Sequence, residues 1–142
     1  MKDLYDHIEY IICAGEGVNI EDLYTGTRKG EIMFAKQLIM YFAVEFKLGG
    51  YTFIADRYKQ DHSTVNNSLK TINNYIATDK EKRGKINYYR GALKAAERVS
   101  ARIEGLLGMF AELDSKLAEL EQRYINLQLL VKNLKTELVN LK

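Results

Sequence analysis

The fold is decided by residues 54–65, which have the sequence Ile54-Ala55-Asp56-Arg57-Tyr58-Lys59-Gln60-Asp61-His62-Ser63-Thr64-Val65. The spacing predicts a short helix over residues 52–58, with Ile54 and Ala55 facing inward. A turn at Lys59-Gln60 follows. Asp61 is a favourable N-cap for the next helix, because its carboxylate can accept a hydrogen bond from a first-turn amide. Two short helices joined by a tight turn form the helix-turn-helix pattern.

The start of the second helix carries side chains suited to DNA bases. In helix-turn-helix proteins the N-terminal residues of this helix meet base edges in the major groove. Hydrogen-bond donors and acceptors, and a threonine methyl that matches the thymine methyl, are supplied here by Asp61, His62, Ser63, Thr64, Asn66 and Asn67. The pattern by itself also fits an all-helical protein whose helix-turn-helix makes no DNA contact.

Further helices are predicted on the N-terminal side. Apolar residues at helical spacing indicate a first amphipathic helix, with Leu4, Ile8, Ile11 and Ile12 on one face. Gly15 and Gly17 are expected to end it, and Asn19 is expected to cap a short second helix. Residues 31–47 then have a broad apolar face that predicts a longer helix, ended by Gly49-Gly50.

The C-terminal third has the heptad repeat of a coiled coil. Beyond residue 98, apolar residues alternate at spacings of 4 and 3, at Val99, Ile103, Leu106, Phe110, Leu113, Leu117, Leu120, Tyr124, Leu127, Val131, Leu134, Leu138 and Leu141. A sustained heptad predicts oligomerisation, because a lone helix in water does not need it. Lys116 with Glu121, and Glu137 with Lys142, would attract each other in a parallel arrangement. A homodimer is favoured, and higher oligomers or an antiparallel fold-back stay open.

Charge is distributed unevenly along the chain, although the net charge is only +2. Residues 1–27 hold one base and six acids, residues 28–98 hold fourteen bases and seven acids, and residues 99–142 hold six of each. The positive block covers the predicted helix-turn-helix, as binding to a polyanion requires. A solvated basic face is the alternative interpretation of the same block.

Several classes of protein are disfavoured. The apolar fraction of 46% and the charged fraction of 28% are typical of an ordered chain, and no apolar run is long enough for a membrane span. Cys13 is the only cysteine, so we expect a reducing, cytoplasmic location. His7 and His62 are the only histidines and have no motif partners, so we expect no enzyme, no metal site and no cofactor.

Three parts of the sequence resemble a known family. They are Thr27-Arg28-Lys29, then residues 35–41 (AKQLIMY), then residues 54–65, in which Asp61-His62-Ser63-Thr64-Val65 is the most specific string. Together they resemble the C-terminal DNA-binding domain of DnaA, the bacterial chromosomal replication initiator. The similarity extends back to Val18 and forward to about Ile76.

The resemblance implies a Trp-repressor-like helical domain that recognises a short A·T-rich box in double-stranded DNA. The family's major-groove contacts fall on Asp61, His62 and Ser63, with Thr64 beside them. Its minor-groove arginine falls on Arg28. Its phosphate contacts fall on three positions, at Lys36, Gln37 and the backbone near Thr52.

The chain departs from the family pattern at four positions. Gln60 stands where a basic residue usually precedes the Asp-His pair, and Phe34 stands where the family is often basic. Ala55 and Lys59 stand where the family usually has glycine. Two fewer cations predict weaker, less salt-dependent DNA binding. The family's phosphate loop (GxxxxGK[ST]) is absent from the sequence.

These patterns predict an all-α chain in three parts. Residues 1–78 form a helix-turn-helix domain, residues 79–98 a basic connecting helix, and residues 99–142 an oligomerising coiled coil on a long C-terminal helix. The expected function is sequence-specific DNA binding that regulates replication or transcription. The alternative is a coiled-coil interaction or scaffold protein, for instance one encoded by a phage, whose helix-turn-helix contacts a protein or is purely structural.

Overall fold

The computed structural model of the chain describes residues 3–141. In that range it has five α-helices and one 3₁₀ helix, which confirms an all-α fold in which a small helix-turn-helix domain is followed by a long C-terminal helix. The elements are α1 (Leu4–Glu16), a 3₁₀ helix (Ile20–Tyr24), α2 (Gly30–Glu45), α3 (Tyr51–Asp56), α4 (His62–Thr78) and α5 (Lys80–Asn140). No helix within residues 3–141 is long and apolar enough to cross a membrane.

The chain divides into two units, one ending at Arg98 and one beginning at Val99. We call the first the head and the second the tail. The head contains every buried side chain that the described residues have. The tail is helical as far as Asn140. Lys142, the expected partner of Glu137 in the coil, lies outside the described residues.

Helix α2 is the centre of the head, and α1, α3 and α4 all pack on it. Its apolar face is fully or almost fully buried, through Ile32, Ala35, Leu38, Ile39, Met40, Phe42 and Ala43. The first turns of α5 complete this core with Ile86, Tyr89 and Leu93. The expected connecting segment, residues 79–98, therefore contributes side chains to the core of the head.

Three helices of the head end in the same left-handed motif. The positive-φ residues are Gly17 (φ 70°) after α1, Lys47 (φ 57°) after α2 and Lys59 (φ 55°) after α3. At the end of α2 the amide of Leu48 donates to the carbonyl of Ala43 at 3.0 Å, which is the Schellman hydrogen bond.

The helix ends differ from the sequence predictions in two places. Helix α2 ends at Glu45, and Lys47 takes the left-handed position that the prediction gave to Gly49-Gly50. Gly49 instead lies directly against the ring of Phe53, so a Cβ there has no room. The short second helix is a 3₁₀ helix, and the side chain of Asn19 makes no cap hydrogen bond to it. The element has only five residues, and 3₁₀ geometry is typical of such short helical connections.

A buried ion pair ties α1 to the turn of the helix-turn-helix. Glu9 is only 3% exposed, and its carboxylate accepts hydrogen bonds from Arg57, Tyr58 and Tyr24. Arg57 also pairs with Asp6 at 2.8 Å. We call these five residues the Glu9–Arg57 cluster. A carboxylate with an arginine and two phenols around it has most of its hydrogen-bonding capacity satisfied, so the charge tolerates burial.

The cluster also shifts the ionisation of the surrounding phenols. Burial, helped by the hydrogen bond to Glu9, raises the pKa of Tyr24 to about 12. Arg57 lies over the ring of Tyr5, 4.2 Å from its centroid, and burial raises the pKa of Tyr5 to about 12. Both phenols are therefore neutral at every physiological pH, and Tyr24 stays a hydrogen-bond donor to Glu9.

Substitution of Glu9 by Gln tests how much this cluster contributes to the stability of the head. The variant keeps the shape but leaves Arg57 without its buried counter-charge, which typically costs several kcal/mol. Because Asp6 remains as a partner, we expect a loss of about 3 kcal/mol in the free energy of unfolding, measured by urea denaturation. The matched control is Glu21→Gln on the exposed surface, which should change stability by less than about 0.5 kcal/mol. Equal stability of the two variants would contradict a structural role for Glu9.

Candidate nucleic-acid interface

The turn between α3 and α4 is held by backbone hydrogen bonds. The amide of Gln60 donates to the carbonyl of Ala55 at 3.0 Å, and that of Lys59 donates to Asp56 at 3.1 Å. This is a second Schellman motif, with Lys59 in the left-handed region. The geometry explains why glycine suits that position, and lysine occupies it here at a cost of about 1 kcal/mol.

Asp61 begins α4 as the sequence predicts. Its carboxylate accepts from the amide of Ser63 at 3.4 Å, and its Oδ1 is 2.8 Å from Nδ1 of His62. Asp61 and His62 are each 68% exposed. The contact orients the imidazole, so that the Nε2 edge of His62 is directed away from the carboxylate that holds Nδ1.

A groove of about 360 Å³ lies beside the start of α4. It is bounded by the loop before α2, by α2 itself and by α4, and its lining residues are Gly26, Thr27, Arg28, Met33, Lys36, Gln37, Met40, Gln60, Thr64, Asn67 and Ser68. We call it the α2–α4 groove. Five of the ten residues predicted to contact DNA line it together, although they come from three separate parts of the chain. They are Arg28, Lys36, Gln37, Thr64 and Asn67.

The other five predicted residues lie outside the lining of the groove. Asp61, His62, Ser63 and Asn66 are exposed in the first turns of α4. Thr52 is exposed in the first turn of α3. That helix has no side-chain cap hydrogen bond at its N-cap, Gly50.

Lys36 has an unusual environment for a lysine. Its side chain is among the few buried charged groups of the head, at 9% exposure, and it borders the α2–α4 groove. Burial lowers its pKa below the usual lysine value. No carboxylate within residues 3–141 lies within 4 Å of its ammonium group. An anion entering the groove would compensate this loss of hydration.

Several residues that line the groove were not predicted from the sequence to do so. Gln60 was noted only as a departure from the family, yet it lines the groove, as do Met33 and Met40. Their roles depend on the packing of α2 against α4, for which the sequence offers no spacing signal. Phe34, the other lost basic position, packs edge-on against Tyr75 with ring centroids 5.8 Å apart.

Possible metal-ligating side chains and the one cysteine also lie among the described residues. Within residues 3–141, no group of three or more His, Cys, Asp or Glu side chains is placed to hold a metal ion. Cys13 is buried, and burial raises its thiol pKa to about 11. A buried, protonated thiol is a poor nucleophile.

The fold and the groove define a helix-turn-helix domain with a polar face at the start of its second helix. Comparison with known proteins gives the family. Residues 5–72 match the family described as the bacterial dnaA protein helix-turn-helix. The match confirms the sequence resemblance for these residues, and it indicates DNA binding.

The individual proteins that the chain resembles are replication initiators. The chain is 38% identical over 76 residues to the chromosomal replication initiator protein DnaA of Desulfotalea psychrophila. It is 31% identical over 77 residues to that of Flavobacterium psychrophilum and 31% identical over 84 residues to that of Spiroplasma citri. The aligned segments cover 54–58% of this chain but only 15–19% of those proteins. The aligned segment therefore corresponds to a small part of each of these initiators.

Proposed function

We propose that the head is a sequence-specific reader of double-stranded DNA that recognises an A·T-rich box. The observation that carries the proposal is the α2–α4 groove, which brings Arg28, Lys36 and Gln37 next to the capped start of α4. A backbone-binding groove beside a base-reading helix is the arrangement that positions such a helix in the major groove.

Each side chain has a role that its chemistry allows. His62 offers a ring edge to a base, and Ser63 and Asn66 offer hydrogen-bonding groups from the exposed first turns of α4. Arg28 is exposed on the loop before α2, and an arginine is attracted to the narrow minor groove of A·T-rich DNA. Lys36 and Gln37 would hold phosphate oxygens, as would the first-turn amides of α3 near Thr52.

The departures from the family pattern affect the DNA affinity that we expect. Gln60 borders the groove without a charge, and Phe34 is packed on Tyr75. Fewer cations at the interface predict modest affinity for a single box and a shallow dependence on salt. A protein with these properties benefits from joining several heads.

DNA recognition is tested by fluorescence anisotropy at about 150 mM salt, since affinities without a salt concentration cannot be compared. A duplex with two initiator boxes is compared with a shuffled duplex of equal composition. We expect at least about a tenfold preference for the boxes, which corresponds to about 1.4 kcal/mol. Separate substitutions His62→Ala and Arg28→Ala should each remove most of this preference, because each deletes a base-groove contact.

The matched control is Lys135→Ala, which removes one exposed cation from the tail. It should keep the preference of the wild-type chain. Equal affinity of the wild type for both duplexes would contradict sequence-specific reading. Unchanged preference in both His62→Ala and Arg28→Ala would contradict the docking of α4 and Arg28.

We infer further that the tail joins heads as a parallel coiled-coil homodimer. In the single chain its heptad residues, from Val99 to Leu141, are between 46% and 83% exposed. Thirteen large apolar side chains in water are unfavourable, and burial of each contributes up to about 1.5–3 kcal/mol. The tail holds equal numbers of acidic and basic residues, so burial of the apolar heptad residues, and not net charge, would drive assembly.

Joining two heads would raise the overall affinity for DNA with repeated boxes, even though each head binds a single box with modest affinity. A second head on the same dimer binds a neighbouring box at a high effective concentration, so avidity exceeds the affinity of either head. The proposed consequence is regulation of replication or transcription at sites with repeated boxes, without catalysis by the chain itself.

Assembly is tested by light scattering on the double variant Leu120→Asp/Leu127→Asp. Two carboxylates in the apolar stripe should reduce the molar mass to that of a monomer, because buried unpaired charges cost more than the interface gains. The matched control, Ser115→Asp/Gln122→Asp, adds the same charges on the opposite face and should keep the wild-type mass. A wild-type mass equal to one chain would contradict the oligomer, and so would an unchanged mass in the leucine variant.

A further inference from the structure

The first turns of α5 carry a concentration of positive charge in the head. Seven cations lie between residues 80 and 98, at Lys80, Lys82, Arg83, Lys85, Arg90, Lys94 and Arg98. Only Glu81 and Glu97 oppose them on the same segment. The family match ends at residue 72, so this charge lies outside the part of the chain that the family model matches.

Two of these cations are neutralised by contacts within the head. Lys85 pairs with Glu16 at 3.5 Å. Arg90 makes hydrogen bonds of 3.0 and 3.1 Å to the carboxylate of Glu45. The other five have no carboxylate within 4 Å in residues 3–141. Structural ion pairing therefore accounts for the smaller part of the charge.

Three of the free cations share one exposed face of α5. Arg83, Lys94 and Arg98 are separated by 11 and 4 residues, so they lie on the same side of the helix as Arg90. All three are exposed, and this face adjoins the buried seam of Ile86, Tyr89 and Leu93. We call Arg83, Arg90, Lys94 and Arg98 the α5 basic stripe.

The start of α5 is fixed to the two helices that form the α2–α4 groove. The ammonium group of Lys82 lies 3.7 Å from the ring centroid of Tyr75 in α4 and 5.2 Å from that of Phe34 in α2. Arg90 also donates to Tyr41 of α2 at 3.0 Å. The stripe and the groove therefore belong to the same packed unit.

We propose that the α5 basic stripe binds the phosphate backbone of DNA that flanks the box held by α4. This inference rests on the proposed DNA-reading function of the head and extends its footprint beyond the family domain. From Arg83 to Arg98 the stripe is about 22 Å long at 1.5 Å per residue. That length matches about six base pairs of duplex at 3.4 Å each, and the negatively charged phosphates repeat along DNA regardless of its sequence.

Salt dependence of binding distinguishes phosphate contacts from a merely solvated face. The test compares wild type with Arg83→Gln/Lys94→Gln on two duplexes, one limited to the box and one with about ten flanking base pairs on each side. On the longer duplex we expect the slope of log affinity against log salt to fall by about 2 in the double variant, one unit for each lost contact. On the short duplex the two proteins should bind alike. The preference for box over shuffled sequence should persist, since α4 is untouched.

The matched control is Lys132→Gln/Lys135→Gln, which removes two exposed cations from the tail and should keep the wild-type slope. Light scattering on both double variants checks that assembly is unchanged. A double variant with the wild-type slope on the longer duplex, while wild type still prefers the box, would overturn the stripe but leave the proposed function standing. Wild-type protein that binds neither duplex would overturn both.

Discussion

The head depends on the buried pairing of Glu9 with Arg57. These residues are 48 positions apart in sequence, and their contact fixes α1 against the turn between α3 and α4. A charge at 3% exposure is tolerable only because Arg57, Tyr58 and Tyr24 satisfy it together. The same contact holds the residue that precedes the turn, so the direction in which α4 leaves that turn depends on it. The exposed start of α4 thus depends on a contact made by a residue at the end of α3.

Much of the head could be predicted from the sequence. The apolar spacing located α1, α2, α3 and α4, and the capping chemistry of Asp61 placed the start of α4 to the residue. The string around His62 identified the family that residues 5–72 match. These features are local, and each is specified by residues within one or two helical turns of each other.

What the sequence did not reveal depends on contacts between distant residues. Lysines occupy the left-handed positions after α2 and α3, because the backbone hydrogen bonds of the Schellman motifs there compensate the strain. After α2 the lysine takes this position in place of the nearby Gly49 and Gly50. The α2–α4 groove needs the packing of three chain segments, so Gln60 and Met40 had no sequence signal as lining residues. The aromatic platform of Phe34 and Tyr75 under Lys82 was hidden for the same reason.

The central claim is that DNA meets the chain at the start of α4, at the loop of Arg28 and at the α2–α4 groove. Amide hydrogen exchange of the full chain, measured with and without the box duplex, tests it most directly. The account predicts slower exchange on DNA binding in residues 26–28, 36–37 and 60–67, and no comparable change across α1. Bound DNA that leaves these three segments unchanged would contradict it, wherever else protection occurred.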